Sequence, residues 1–366
     1  MIEVLLSAPQ LTVQDTGRRG QRHLGVPRCG MLDALALQKA NLLLGNQADA
    51  AGLEITFGPV QLRAHTDLHI VLMGKDLLAT LQRDGRSDGR SDGPSDGQND
   101  GLSDGKNDGK KRSAGSFLTP GFVHFWPAGT TLRLRAAANG IGRSCLAVAG
   151  GIDVPMVLGS RSTDLANRFG GLHGRALVTG DRLPVGSATV WPVPLQGLRQ
   201  SAADGQLRIL PGPDYPQLDE AARDMLLTTP WRVTQSSNRM GLRLEGPQLD
   251  VIQTGPRLSF GVLPGQIQVP ADGQPIILAA DAQTTGGYPC IASVISADLW
   301  QLAYLTPGAR ITFSEVDIAL AQRYHQQQVT YLQSLADRFA RPPAAAKASG
   351  ADAEERAPHT ALETSS

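Results

Sequence analysis

The chain contains few cysteines and no excess of either charge, and each absence narrows its possible functions. Its 366 residues include three cysteines, Cys29, Cys145 and Cys290, which lie far apart and form no CxxC pair. This sparse, odd number argues against a disulfide framework or a structural zinc site, and we expect no bound metal. The 34 basic and 34 acidic residues cancel. This balance argues against electrostatic binding of nucleic acid or of a membrane surface.

Signals for membranes and for export are also lacking. No apolar run reaches the roughly 18 residues that a transmembrane helix requires. Residues 1–6 have no basic n-region, and their apolar run is too short for a signal peptide. We therefore expect a cytoplasmic protein.

The sequence lacks the short motifs that identify several common enzyme classes. It has no GxxxxGK[ST] loop, no GxGxxG after a strand, no GxSxG and no HExxH. P-loop nucleotide binding, Rossmann-type dinucleotide binding, α/β-hydrolase chemistry and zinc-protease chemistry are therefore not indicated. The residues by themselves do not reveal a reaction.

Glycine and proline are abundant, with 41 and 24 residues, and they separate short apolar runs. This pattern is typical of a mainly β protein with few short helices. One helix is predicted over 34–44, because Asp33 suits the N-cap and Gly45 suits the C-terminal end. Glu54 lies within a predicted strand, and we expect it on the solvent-exposed face.

The composition divides the chain into two β-rich units and two polar segments. We predict an N-terminal unit over 1–195, interrupted at 83–113 by seven Asp-Gly pairs that recur every four residues. This insertion is predicted to be disordered, since it cannot bury enough apolar surface to offset its ordering entropy. It also lacks the interleaved apolar residue of calcium-binding repeats. A second unit is predicted over 205–316, a terminal helix over 317–340 and a disordered tail over 341–366.

The densest polar stretch is 281–288, which reads Asp-Ala-Gln-Thr-Thr-Gly-Gly-Tyr between two apolar runs that we interpret as buried strands. Polar groups on a loop held between strands are typical of binding sites. The paired glycines let the backbone approach a ligand or another strand closely. The alternative is a tight glycine hairpin whose hydroxyl groups cap its own backbone.

A second candidate is the glycine- and arginine-rich segment 15–27, which includes Arg18, Arg19 and Arg22. The planar guanidinium group suits bidentate binding of a carboxylate or a phosphate. The alternative is a solvated basic loop without a ligand.

Six blocks, taken in order, resemble the biotin-dependent carboxyltransferase family. They lie at 22–27, 148–155, 158–163, 237–246, 265–270 and 283–289. The resemblance spans about residues 3–316. The chain departs from the family pattern at the Asp-Gly insertion, at Lys75, where a small residue is usual, and at Asp164, where an aromatic residue is usual. The last two departures concern local packing more than activity.

The resemblance implies two cyclophilin-like β-barrel units and an enzyme component of a hetero-oligomer. The implied reaction is the ATP-dependent opening of 5-oxoproline to glutamate, performed with two partner proteins, a smaller B-like 5-oxoprolinase subunit together with its A-like counterpart. ATP would be bound with or by those partners. One alternative is a carboxyltransferase that acts on urea or a related amide, with biotin carried by another protein. Another is a non-catalytic regulatory protein that binds its partner.

If the chain takes part in opening 5-oxoproline, the chemistry of its side chains indicates roles for several residues in and near these blocks. Catalytic roles are expected for Asp281, Gln283, Thr284 and His23, with Asp33 as a weaker candidate. The expected substrate contacts are Arg239, Gln268, Thr285, Gly286, Gly287 and Tyr288. In this interpretation the Gln and Thr side chains bind the amide, the Gly286 and Gly287 N–H groups face developing oxyanion charge, and Arg239 binds a carboxylate or phosphoryl group.

Overall fold

The computed structural model describes residues 1–56, 58–83, 116–137, 143–188, 196–251 and 258–339. Apart from Arg83, the predicted insertion at 83–113 lies outside these ranges, and so does the predicted tail at 341–366. The described chain is mainly β with few helices, which confirms the predicted fold class. None of its helices is long and apolar enough to cross a membrane.

The first half of the chain forms a six-stranded and a five-stranded sheet around one apolar core. Its strands are β1 (Ile2–Leu6), β2 (Gln10–Gln14), β3 (Gly52–Thr56), β4 (Val60–Ala64), β5 (Leu68–Lys75), β6 (Leu77–Arg83), β7 (Ser116–Leu118), β8 (Val123–Trp126), β9 (Thr130–Ala136), β10 (Arg143–Val148) and β11 (Arg182–Leu183). The strand orders are β11-β1-β4-β9-β6-β7 and β2-β3-β10-β5-β8. In β4, Val60, Leu62 and Ala64 enter the shared core, because alternate residues of a strand point to the same face.

Helix α1 (Ala34–Leu43) covers the outer face of the five-stranded sheet. Its N-cap is Asp33, as predicted, and the Asp33 carboxylate accepts a hydrogen bond of 2.7 Å from the backbone N–H of Ala36. Leu37 and Ala40 of the helix pack in one cluster with residues of β5 and β10. Those two strands are consequently buried on both faces, which explains their nearly continuous apolar sequences.

The second half of the chain forms a closed barrel with strand order β12-β19-β16-β17-β14-β13-β20. Its elements are β12 (Gln206–Pro211), α2 (Glu220–Thr228), β13 (Trp231–Val233), β14 (Gly241–Glu245), β15 (Phe260–Gly261), β16 (Gln266–Gln268), β17 (Ile276–Leu278), β18 (Thr285–Gly286), β19 (Cys290–Val294), β20 (Arg310–Glu315) and α3 (Ile318–Phe339). The parallel pair β12–β20 closes the barrel around a core that contains Trp231 and Ile267. Short 3-10 helices occur at 22–24, 215–217 and 296–304.

The two point departures from the family pattern are both accommodated by their surroundings. Lys75 is exposed at the end of β5. Asp164 is buried, but its carboxylate accepts hydrogen bonds from the backbone N–H and the side-chain amide of Asn167, at 2.9 Å and 2.8 Å. A buried carboxylate with such partners does not carry the full cost of desolvation.

Asp33 also joins the two halves of the chain. The Tyr304 hydroxyl, in the 3-10 helix at 296–304, donates a hydrogen bond of 2.6 Å to the Asp33 carboxylate. The Gln200 side-chain amide donates to the Tyr304 hydroxyl at 3.0 Å. Burial raises the pKa of Asp33 from 3.8 to about 6, although the hydrogen bonds from Tyr304 and Ala36 oppose that rise.

Replacing Asp33 by Asn removes this titration and keeps a residue that caps helices well. The raised pKa favours the protonated carboxyl in the folded state, so the stability that Asp33 contributes is present below pH 3.8 and is lost as the pH rises through about 6. Relative to the natural chain, Asp33→Asn should therefore gain about 3 kcal/mol of unfolding free energy between about pH 4 and pH 7. Urea denaturation of both proteins across this range measures the difference, and a difference independent of pH would contradict the expectation.

Candidate functional site

The polar loop 281–288 follows β17 and is anchored outside the barrel. Within it, β18 pairs antiparallel with β15, so that Thr285 lies opposite Gly261 and Gly286 lies opposite Phe260. The backbone N–H of Val262 extends this pairing by donating to the Thr284 carbonyl at 3.0 Å. The loop is therefore held by β15, a strand from an earlier part of the chain that lies outside the barrel, and it is not an isolated hairpin turn.

The side chains of this loop are available to a ligand. Gln283 and Thr284 are half-buried, whereas Thr285 and Tyr288 are exposed. Within the described ranges, none of these four side chains forms a hydrogen bond with another residue. The alternative in which the loop's hydroxyl groups cap its own backbone is consequently not seen in that part of the chain. The amide and hydroxyl groups remain free to contact a small polar molecule.

Gln268 lies beneath the loop, where it shapes the backbone. It is 1% exposed, and its amide nitrogen is 3.5 Å from the Tyr288 carbonyl oxygen. A Cβ atom on Gly286 would lie only 2.9 Å from that same nitrogen. A Cβ atom on Gly287, in contrast, would meet only the Ser259 hydroxyl, at 3.7 Å. The first glycine therefore packs closely on the Gln268 amide, while the second leaves the surface open.

Arg22, from the first half of the chain, also holds the loop. Its guanidinium group donates to the carbonyl of Val262 and, at 2.7 Å, to the carbonyl of Gln283. Burial lowers the pKa of Arg22. His23 directly follows Arg22 in the sequence. Its side chain is exposed and is not part of the packed interior.

Arg239 is buried between the two halves of the chain and binds two carboxylates. It donates to Asp281 through two nitrogens, at 2.8 Å and 2.9 Å, and its third nitrogen donates to Glu54 of β3. It also donates to the Gly30 carbonyl at 2.6 Å. Burial alone lowers the pKa of Arg239, but the charges of Glu54 and Asp281 outweigh that effect and raise its pKa above the ordinary value.

These contacts change the roles that we assign to Arg239 and Asp281. Every guanidinium nitrogen of Arg239 is already engaged within the protein, and the side chain is 5% exposed. Arg239 is therefore not placed to bind a substrate anion, and Asp281 is committed to the ion pair. Both residues position the loop that begins at Asp281.

The expectation that Glu54 faces solvent is wrong. Glu54 is 2% exposed, and its second carboxylate oxygen accepts a hydrogen bond of 2.8 Å from the Leu32 backbone N–H. Its neighbours Leu53 and Ile55 are also buried, because β3 lies inside the five-stranded sheet and is covered on both faces. The one local feature of the sequence that could have indicated the burial of Glu54 is that it is a single acidic residue within an otherwise apolar strand.

A cavity of about 560 Å³ adjoins the segment that leads into the loop. Its wall includes Ala279 and Ala280, which directly precede Asp281, together with Arg19 and Arg28. This volume lies within the range of about 300–1,000 Å³ that is usual for small-molecule sites. The arginine-rich segment and the polar loop, predicted separately from the sequence, therefore border the same region.

A family model described as carboxyltransferase domain, subdomain A and B, matches residues 24–91 and 110–315. The chain is 40% identical over 339 residues to the C subunit of Escherichia coli 5-oxoprolinase, and the alignment covers 93% of this chain and 99% of that protein. It is also similar to the crystal structure of TTHA0988, with 34% identity, a TM-score of 0.69 and coverage of 86% of this chain.

The solved urea amidolyase of K. lactis is a more distant relative. It has 26% identity and a TM-score of 0.76 over 91% of this chain. This chain spans only 20% of that enzyme, and it spans 55% of TTHA0988. Both structures are therefore longer proteins in which the present fold is one part.

The two glycines of the loop provide a matched test of its packing. Gly286→Ala should lower the free energy of unfolding by about 1–3 kcal/mol, because the added methyl group displaces the buried Gln268 amide. Gly287→Ala should change it by no more than about 0.5 kcal/mol, since its methyl group meets only the Ser259 hydroxyl, at an ordinary contact distance. Urea denaturation of both variants measures the difference. Equal losses in the two variants would show that the contact with Gln268 does not govern the loop.

Proposed function

The chain belongs to the carboxyltransferase-domain family, subdomains A and B, and on this basis we propose that it is one subunit of an ATP-dependent 5-oxoprolinase. The observation that carries the proposal is the near full-length similarity to the C subunit of E. coli 5-oxoprolinase. The chain would work in the cytoplasm as part of a hetero-oligomer. Its partners would be a smaller B-like 5-oxoprolinase subunit together with its A-like counterpart, and the complex would open 5-oxoproline to glutamate.

The polar loop suits the recognition of a lactam amide. A lactam presents one N–H donor and one carbonyl acceptor, and the side chains of Gln283 and Thr284 can both donate and accept hydrogen bonds. Attack on the lactam carbonyl moves negative charge onto its oxygen, where a backbone N–H group stabilises it. Gly286 lies within the β15–β18 pairing. Gly287 follows that pairing and is exposed, so we assign the oxyanion donor to Gly287.

His23 and the ion pair take different parts in this proposal. His23 is exposed and adjacent to Arg22, so it is the side chain that we propose for proton transfer at the edge of the loop. Arg239 and Asp281 keep the loop in place and do not touch the substrate. Thr285 and Tyr288 remain proposed substrate contacts because both are exposed next to Gly287.

ATP is proposed to be held by the partner subunits. Arg19 and Arg28 make the adjoining cavity attractive to an anion, but the residues that line it include neither a lysine nor a glycine. A phosphate-binding P-loop uses both residue types, the glycines for backbone N–H contacts and the lysine for charge. The residues that line the cavity therefore do not fit a triphosphate bound as in a P-loop. We derive no step of this chain through ATP.

A second candidate function is favoured by the similarity to K. lactis urea amidolyase. In this alternative the chain is a carboxyltransferase that acts on urea or a related amide, and biotin is carried by another protein. Urea and a lactam both present a planar N–C=O group, so the same loop serves either substrate. A third possibility is a non-catalytic regulatory protein that forms a stable complex with its partner and turns over neither substrate.

A double substitution in the loop tests the proposed function. With both partner subunits and ATP present, Gln283→Ala combined with Thr284→Ala should lower kcat/KM for 5-oxoproline by at least about 100-fold, because two polar contacts to the amide are lost. Glutamate formation coupled to ATP hydrolysis is the measurement.

The matched control carries Gln47→Ala and Thr66→Ala, which remove the same groups from exposed positions in the first half of the chain. The control should retain full activity. Full activity in the Gln283/Thr284 variant would remove these residues from the site. An intact complex that opens no 5-oxoproline but carboxylates urea with carboxybiotin would favour the alternative.

A further inference from the structure

The cavity beside the polar loop is built by both halves of the chain. The first half supplies α1 and the loop that precedes it, and the second half supplies residues 279–280, the 3-10 helix at 296–304 and α3. Because its walls come from segments that are far apart in the sequence, the cavity exists only in the fully folded chain. None of its lining residues belongs to the loop side chains that we assigned to the lactam.

Positive charge is concentrated at this cavity. Arg19 and Arg28 line it, and no aspartate or glutamate does. Arg28 is half-buried and fixed in place, since its guanidinium group donates twice to the Thr16 carbonyl, at 3.3 Å and 3.2 Å. Burial lowers the pKa of Arg28, and the neighbouring charges of Arg19 and Arg22 lower it further, whereas the charge of Asp15 partly opposes these effects. The positive charges of Arg19 and Arg28 therefore oppose each other at the cavity, and an anion bound between them relieves that repulsion.

Arg19 is the cation that is free to move toward a ligand. It is exposed, and in the described portion of the chain it has neither a hydrogen-bond partner nor an ion-pair partner. A solvated basic loop without a ligand would be enough to explain the exposure of Arg19. It does not account for a second, half-buried arginine that lines the same cavity, whose wall contains no aspartate or glutamate.

The rest of the lining defines the body of the ligand. Met31, Leu35, Trp300 and Leu332 contribute apolar surface, whereas Gln38 and Gln328 offer amide groups. An inorganic ion would leave most of this surface unused. An organic molecule with one anionic end fills the apolar part and pairs its charge with the arginines.

We infer that this cavity binds a small organic carboxylate, whose negative group lies between Arg19 and Arg28 and whose body packs against the apolar wall. The site is separate from the polar loop. The inference concerns binding by this chain and does not depend on the proposed 5-oxoprolinase activity.

Isothermal titration of the full-length chain with paired probes tests the inference. The charged probes are 5-oxoproline and hexanoate, and their uncharged counterparts are 2-pyrrolidone and hexanamide. At least one carboxylate should bind saturably with a stoichiometry of one, and its uncharged counterpart should bind at least about tenfold more weakly. Failure of both carboxylates to bind, or equal binding of the matched uncharged probe, overturns the inference.

Variants at Arg19 then place the binding in this cavity. Arg19→Gln should weaken carboxylate binding about tenfold and Arg19→Glu should abolish it, because the second change also introduces repulsion. The control is Arg310→Gln, which removes another exposed arginine, from the barrel surface, and should leave binding unchanged. Binding that is insensitive to both Arg19 variants would assign the carboxylate to another place.

The carboxylate-binding experiments and the 5-oxoproline activity assay can fail independently of each other. Carboxylate binding that depends on Arg19, in a complex that opens no 5-oxoproline, supports the cavity and rejects the proposed function. Turnover of 5-oxoproline that is lost in the loop variant, without carboxylate binding by the isolated chain, supports the function and rejects the cavity.

Discussion

The ion pairs of Arg239 are the interaction on which the arrangement of the two halves depends. One guanidinium group, nearly inaccessible to solvent, joins Glu54 of the first half to Asp281 of the second. Removing a charge from water is costly, and a buried ion pair offsets that cost only with close geometry and further hydrogen bonds. The Leu32 N–H and the Gly30 carbonyl supply those bonds. The cluster therefore requires both halves to be correctly placed at once.

The ion pairs of Arg239 also determine the position of the candidate site. Asp281 is both a member of the cluster and the first residue of the polar loop, so the cluster fixes where the loop begins. Arg22 then fixes the next part through the Gln283 carbonyl, and Gln268 supports the turn at Gly286 from below. The side chains of Gln283 and Thr284 project from a backbone that is held on several sides. A site prepared in this way loses less conformational entropy when a ligand binds.

Local sequence patterns predicted the parts of this structure that depend on neighbouring residues. The β-rich composition, the helix capped by Asp33 and the glycine-rich loop were all visible in short segments. The roles of Glu54, Arg22 and Arg239 were not, because their partners lie far away in the sequence. Glu54 and Arg239 are 185 residues apart, and Arg22 and Gln283 are 261 residues apart. An acidic residue in a strand shows no sign of a distant arginine, so its burial becomes evident only in the folded chain.

A double-mutant cycle between Arg239 and Glu54 measures how strongly this ion pair joins the two halves of the chain. Arg239→Met, Glu54→Gln and the double variant would be compared with the natural chain by urea denaturation. We expect each single change to be strongly destabilising and the two losses not to be additive, with a coupling energy of about 2–3 kcal/mol. Losses that add to within about 0.5 kcal/mol would contradict this expectation, because the two halves would then not be joined through this pair.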